Sequence, residues 1–111
     1  MNFTRFKTVW NLILKEKMIH RLTVQKCFQE LKNDSRIFIQ GAAMTPTNLV
    51  AMLCEEYQSF SNIELIHLHT EGIAKYAESP YSNSFNINSF FVAGNVRSCI
   101  NEGNGNYLPI F

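Results

Sequence analysis

A chain of 111 residues that is 46% hydrophobic and 17% charged has the make-up of one globular domain and excludes a disordered tail, a collagen and a coiled-coil rod. A chain of this length buries roughly two-thirds of its unfolded surface, yet it is short for an enzyme that must enclose two substrates. The net charge of +1 is unevenly placed: residues 1–32 hold seven Lys/Arg against two Glu, and residues 33–111 hold three against seven Asp/Glu.

Phe3, Phe6, Trp10, Ile13 and Leu14 recur at helical spacing and predict an amphipathic helix over 3–17, followed by a joint at 18–22. Thr23 is placed to cap a second helix, whose inner stripe is Val24, Cys27, Phe28 and Leu31; Asn33-Asp34-Ser35 ends it with turn chemistry. Arg36 to Gln40 is short, β-branched and aromatic, a strand, and Gly41-Ala42-Ala43 is a small-residue turn. Thr45-Pro46 reads as a helix start, with Thr45 as N-cap and Pro46 at the first helical position. Leu49, Val50, Leu53 and Tyr57 form the inner stripe of that helix, and Glu55, Glu56 and Gln58 face water.

Ser61-Asn62 is a turn, Ile63 to His69 a second strand, and Thr70-Glu71-Gly72 its break. Residues 73–84 are mixed, with Ser79-Pro80 marking a loop. Phe85 to Val92 is the third strand and Ala93-Gly94 a tight turn. Asn95 caps a short helix from Val96 to Glu102, Gly103 closes it, and a fourth strand runs from Tyr107 to Phe111. Strands alternating with helices predict an α/β fold: three layers, a mostly parallel sheet with helices on both faces.

The charge and cysteine patterns bound the partners. The basic excess from Arg5 to Lys32 is spread along two helix-like segments with no Gly/Arg run, a solvated helical face, so no nucleic-acid partner is expected. The uncharged stretches 37–54 and 79–96 are interrupted by Pro, Gly, Thr or Asn, and no membrane span is expected. Cys27, Cys54 and Cys99 are odd in number and contain no C-x-x-C, which argues against a disulfide framework and a structural zinc and for a reducing compartment. The expected location is the cytoplasm. A first acid only at Glu16, after Arg5, Lys7 and Lys15, keeps a mitochondrial targeting segment as the alternative.

In open α/β sheets ligands bind beyond the carboxyl ends of the strands. Three unusual clusters fall there: GAAMTP at 41–46, HTEG at 69–72 and AGNVR at 93–97. Two of them open a helix, whose free N–H groups suit a carboxylate or phosphate, although Thr45 and Asn95 taken alone read more readily as ordinary caps. Arg97 stands in the first turn of a helix, where a cation is unfavourable, and its planar fork suits a carboxylate. His67 and His69 share a strand face, but spacing suggests no third ligand, so no metal site is expected. Glu71, beside a turn at a strand end, reads either as a nucleophile or base or as a loop carboxylate. No G-x-G-x-x-G, P-loop or G-x-S-x-G occurs.

At these clusters the chain resembles the acetyl-CoA hydrolase/transferase family, most closely the 4-hydroxybutyrate (or butyrate/acetate) coenzyme A-transferases. The matching stretches are GAAMTP, IELIHLHTEG, NSFFVAGNVR and NEGNGNYLPIF, in the family's order and spacing, and Trp10 with the Thr23–Leu31 helix resembles its opening. The resemblance implies transfer of coenzyme A between carboxylic acids by a ping-pong route, in which a glutamate attacks the thioester of an acyl-CoA. It implies two α/β domains, with that glutamate and the glycine-rich loops that hold coenzyme A in the second half. No catalytic residue is therefore assigned within residues 1–111, and the chain by itself is expected to be inactive: a truncated N-terminal domain that stops inside its last strand. No tightly bound cofactor is implied, coenzyme A and acyl-CoA being substrates. The partners implied are an acyl-CoA, a short carboxylic acid, and a second copy or the missing C-terminal half; a rival reading is a non-catalytic partner of a full-length transferase. The residues that match the substrate-binding loops are Gly41, Ala42, Thr45 and Pro46, then Thr70, Glu71 and Gly72, then Gly94, Asn95, Val96 and Arg97. Ala93-Gly94 departs from the family, where Gly is more often followed by a small residue or Pro.

Overall fold

Residues 23–110 are described by the computed structural model, and they form a four-stranded sheet with three α-helices. The predicted helix over 3–17, the joint at 18–22, the targeting reading and Phe111 lie outside the described residues. Helix α1 spans Val24–Glu30 and is capped as its sequence requires, the Thr23 hydroxyl accepting from the Lys26 N–H at 3.3 Å. Of its predicted inner stripe, Phe28 and Leu31 pack against the core, Phe28 edge-on to Phe60, whereas Cys27 is exposed.

The strands are β1 (Arg36–Phe38), β2 (Ile63–His67), β3 (Phe85–Ser89) and β4 (Gly105–Tyr107). All three pairings are parallel, and the spatial order equals the chain order. Consecutive parallel neighbours need crossovers, and crossovers of one hand bring every connecting element back over the same face. The packing follows. Alternation puts Ile37, Ile63, Leu65, Phe85 and Ile87 on one face, where α2 (Thr47–Glu55) lays Leu53 and Cys54, and α3 (Arg97–Asn101) lays Cys99. The opposite face carries a polar lattice: Glu64 joins Arg36 to Asn88, Asn88 accepts from Asn106, and Asn62 joins Asp34 to Asn86. The predicted α/β architecture and parallel sheet are present, while a helical layer over this second face is not among the described residues.

Several boundaries differ from the sequence expectation, each for a local reason. β2 stops at His67, not His69, and β3 stops at Ser89, whose hydroxyl donates to the Phe91 carbonyl at 2.6 Å and turns the chain away. β4 begins at Gly105 and not at Tyr107, and residues 108–110 leave the strand. A glycine is a poor strand former, but a Cβ at Gly105 would lie 3.2 Å from the Cys99 sulfur and 3.4 Å from Ile100 Cγ1, so glycine there lets α3 pack closely on the sheet. Leu49 is not in the inner stripe of α2; it is exposed beside an apolar groove with Phe28, Phe38 and Pro46.

Gly103 ends α3 as expected. With φ of +78° it donates to Ile100, and Asn104 donates to Cys99, the paired bonds of a Schellman turn. Gly103→Ala is expected to lower the urea midpoint by an amount equivalent to about 1 kcal/mol, because a Cβ is disfavoured at positive φ although space is open there.

Candidate functional site

The three loops at the carboxyl ends of β1, β2 and β3 meet along one edge of the sheet and are stitched to one another. The first loop lies against the second through a parallel bridge of Ala42 to Thr70 and a 2.8 Å bond from the Ala42 N–H to the His69 carbonyl. This approach requires glycine at 41, since a Cβ there would lie 2.6 Å from the His69 oxygen. Ala42 itself is held at φ of +51°, a conformation alanine rarely takes, by bonds at both ends of its peptide: its carbonyl accepts the Thr45 hydroxyl at 2.7 Å and the Thr45 N–H at 3.1 Å.

Thr45 and Asn95 are corrected by the structure. Thr45 is not the cap of α2: the helix begins at Thr47 with Pro46 in the cap position and no side-chain cap. Its hydroxyl instead donates to Ala42 and accepts the Glu71 N–H at 3.1 Å, joining the first loop to the second. Asn95 does not cap α3, which begins at Arg97 after Val96. Its amide donates to the Thr70 carbonyl at 2.9 Å and to the Gly72 carbonyl at 3.1 Å, joining the third loop to the second. Each residue lies one position before the cap, and backbone groups of the second loop, the Glu71 N–H and the Thr70 and Gly72 carbonyls, take up its side chain.

The remaining predicted residues divide by position. Glu71 is exposed and lies 3.2 Å from His69 Nε2, and the His69 ring meets Phe91 edge-on. Gly72 has φ of +83° and turns the second loop. Glu71 and Gly72 border a mainly apolar groove of about 200 Å³ formed with Thr47, Val50, Ala51 and Ile73. Gly94 adjoins open space, and Arg97 is exposed with no hydrogen bond or ion pair to the described residues. Val96 is buried at 1% exposure and supports its loop from within the core.

Beneath the rim runs a buried polar chain of which the sequence reading singled out only His67 and Thr70. Thr70 Oγ1 lies 2.7 Å from the Tyr76 hydroxyl, which is 3.2 Å from His67 Nε2; His67 Nδ1 lies 3.3 Å from the Ser89 hydroxyl. Ser89 donates its single proton to Phe91, so it accepts from His67 Nδ1–H, and Nε2 is left to accept from Tyr76. Burial, helped by the nearby His69, pulls the His67 pKa down to about 4, so the ring is neutral at pH 7; burial pushes the Tyr76 phenol up to about 12 against the opposing bond from Thr70. Tyr76 lies in the aperiodic stretch 73–84 and Ser89 at a strand end, so neither carried a pattern from which a role could be read.

Around this rim the exposed apolar side chains concentrate: Met44, Leu68, Ile73, Phe91, Tyr107, Leu108 and Ile110 all lie at or beyond the carboxyl ends of strands. Among the described residues no helix is long and apolar enough to cross a membrane, and no group of three His, Cys, Asp or Glu is placed to hold a metal.

Comparison with known proteins adds two matches. Residues 14–111 match the acetyl-CoA hydrolase/transferase N-terminal domain. The chain is also 40% identical over 86 residues to a succinyl-CoA:acetate/propanoyl-CoA:succinate CoA transferase of Fasciola hepatica; the match covers 76% of this chain and 18% of that relative, so the chain spans less than a fifth of the relative's length.

Proposed function

The chain belongs to the acetyl-CoA hydrolase/transferase family, and from that premise we propose that it supplies the carboxylate and acyl side of the cleft in an enzyme that moves coenzyme A between short carboxylic acids. The carrying observation is the rim itself: three loops cross-bonded through Ala42, Thr45, Thr70 and Asn95 into one surface, ringed by exposed apolar side chains. An exposed apolar margin of this kind favours coverage by further protein. In this reading Arg97, unpaired among the described residues, orients the acceptor carboxylate, and the apolar groove beside Gly72 takes the short acyl chain. We assign acetate as acceptor and a 4-hydroxybutyrate-type or other short acyl group as cargo; the Fasciola hepatica relative, named for succinyl and propanoyl groups, supports a short acyl class. The nucleophilic glutamate lies outside residues 1–111 in this proposal, and Glu71 is not it: its carboxylate is exposed and paired with His69.

The test is a coupled assay of acyl-CoA with and without acetate. The 111-residue chain alone is expected to give no turnover. Adding the C-terminal part of a full-length family transferase is expected to restore acetate-dependent transfer, and Arg97→Ala to raise the acetate KM about tenfold with little change in kcat, the loss of one charge-assisted hydrogen-bonded contact. Turnover by the chain alone overturns the placement of the nucleophile. CoA release without acetate makes the activity a hydrolase. The apolar margin also favours a second reading, a non-catalytic partner that docks on a full-length transferase; co-elution without any gain of turnover would select it.

A further inference from the structure

The buried chain under the rim has only one possible direction. At one end the Phe91 carbonyl can only accept; at the other, Thr70 is held on its backbone side by the Asn95 amide, whose two protons go to the Thr70 and Gly72 carbonyls at 2.9 and 3.1 Å. Read back from Phe91, Ser89 donates to Phe91 and accepts from His67 Nδ1, His67 Nε2 accepts from the Tyr76 hydroxyl, and Tyr76 accepts from the Thr70 hydroxyl. Thr70, Tyr76, His67 and Ser89 are all buried, so a member that loses its partner finds no water to replace it. The chain therefore ties the second loop, the third loop and the end of β3 to one another from below.

We propose that Tyr76 and His67 are positioning residues of the rim: they anchor Thr70 by its hydroxyl, which holds in place the Thr70 carbonyl that accepts the Asn95 amide at 2.9 Å and so locks the second and third loops in register as one substrate-facing surface. The substrate-facing role rests on the reading given under Proposed function; the lock does not, and its test needs no turnover. Nothing in the chain's own backbone pairing joins these loops, because beyond His67 and Ser89 the β2–β3 ladder has ended. The side-chain relay takes over where the ladder stops.

The experiment is NMR on the ¹⁵N-labelled 111-residue chain, comparing wild type with Thr70→Val, Thr70→Ser and Tyr76→Phe. Valine keeps the shape of threonine without its hydroxyl, and serine keeps the hydroxyl without the methyl. Thr70→Val is expected to speed amide exchange at Ala42, Glu71 and Val96 at least tenfold while Leu65 and Ile87 keep their wild-type rates, and Thr70→Ser to restore protection. The His67 ring nitrogens are expected to show Nδ1 protonated and Nε2 bare in wild type, with the Nε2 resonance shifted in Tyr76→Phe when its donor is removed. Equal exchange in Thr70→Val and Thr70→Ser, uniform acceleration that includes Leu65 and Ile87, or a proton on Nε2 overturns the proposal. Should Thr70→Val fail to fold, Tyr76→Phe decides it by the same amides. Absence of transferase activity would leave these readouts unchanged and bear only on the function proposed for the rim.

Discussion

Acidification from pH 6.5 to 4 is expected to remove up to about 3 kcal/mol of stability through His67 alone. The folded ring has a pKa near 4, against 6.5 for the free side chain. The unfolded chain therefore binds a proton in this interval that the folded chain refuses, so stability is fully present above pH 6.5 and falls as pH drops toward 4. The cause is geometric as well as electrostatic. A protonated ring has two N–H donors, but Nε2 faces the Tyr76 hydroxyl, which is already giving its proton, and among the described residues no carboxylate is hydrogen-bonded to the ring. Urea unfolding at intervals of half a pH unit measures the slope. In His67→Gln the slope between pH 6.5 and 4 is expected to flatten relative to wild type; an equal slope in the two proteins would assign the acid sensitivity to other groups.

Gly41→Ala is expected to cost about 2–3 kcal/mol, in the range of overpacking a closed contact. The added Cβ would meet a backbone oxygen, that of His69, at 2.6 Å, and a backbone atom of a neighbouring loop cannot swing aside as a side-chain end can. To admit it, the first loop must lift from the second, which stretches the Ala42–His69 bond and draws Thr45 off the Glu71 amide. Gly94→Ala is the internal control, since a Cβ there meets nothing within 4 Å among the described residues. The urea midpoint of Gly94→Ala is expected to stay close to wild type while that of Gly41→Ala falls clearly below it. Equal midpoints would contradict the close approach of the first two loops, and with it the stitched rim.

How far the sequence reached can be judged from particular residues. Thr23 and Gly103 behave as read, because a cap and a Schellman turn are decided within a few residues of chain. Thr45 and Asn95 carry the same local signals but form no caps, because each oxygen or amide found a better partner on a loop 23 to 26 residues away. Leu49 and Cys27 keep helical spacing yet face outward, since α1 buries none of its residues fully and α2 only Leu53 and Cys54. His67 was legible as a strand residue of the core or rim. Its place between Tyr76 and Ser89 was not, because both partners reach it across the fold, and a single hydroxyl in an aperiodic stretch leaves no pattern.

By itself the sequence determined the alternation of strands and helices, the parallel sheet, the family and the rim on which its three loops converge. The alternation, the sheet and the rim follow from periodicity, turn chemistry and the one-handedness of crossovers, all carried by local pattern, and the family follows from the resemblance of the loop motifs. The tertiary structure alone decided how the rim is built: which oxygen accepts which amide, why residue 41 must be glycine, and which buried hydroxyls hold the loops. A hydrogen bond between loops depends on positions to within a fraction of an ångström, and no local propensity encodes that distance.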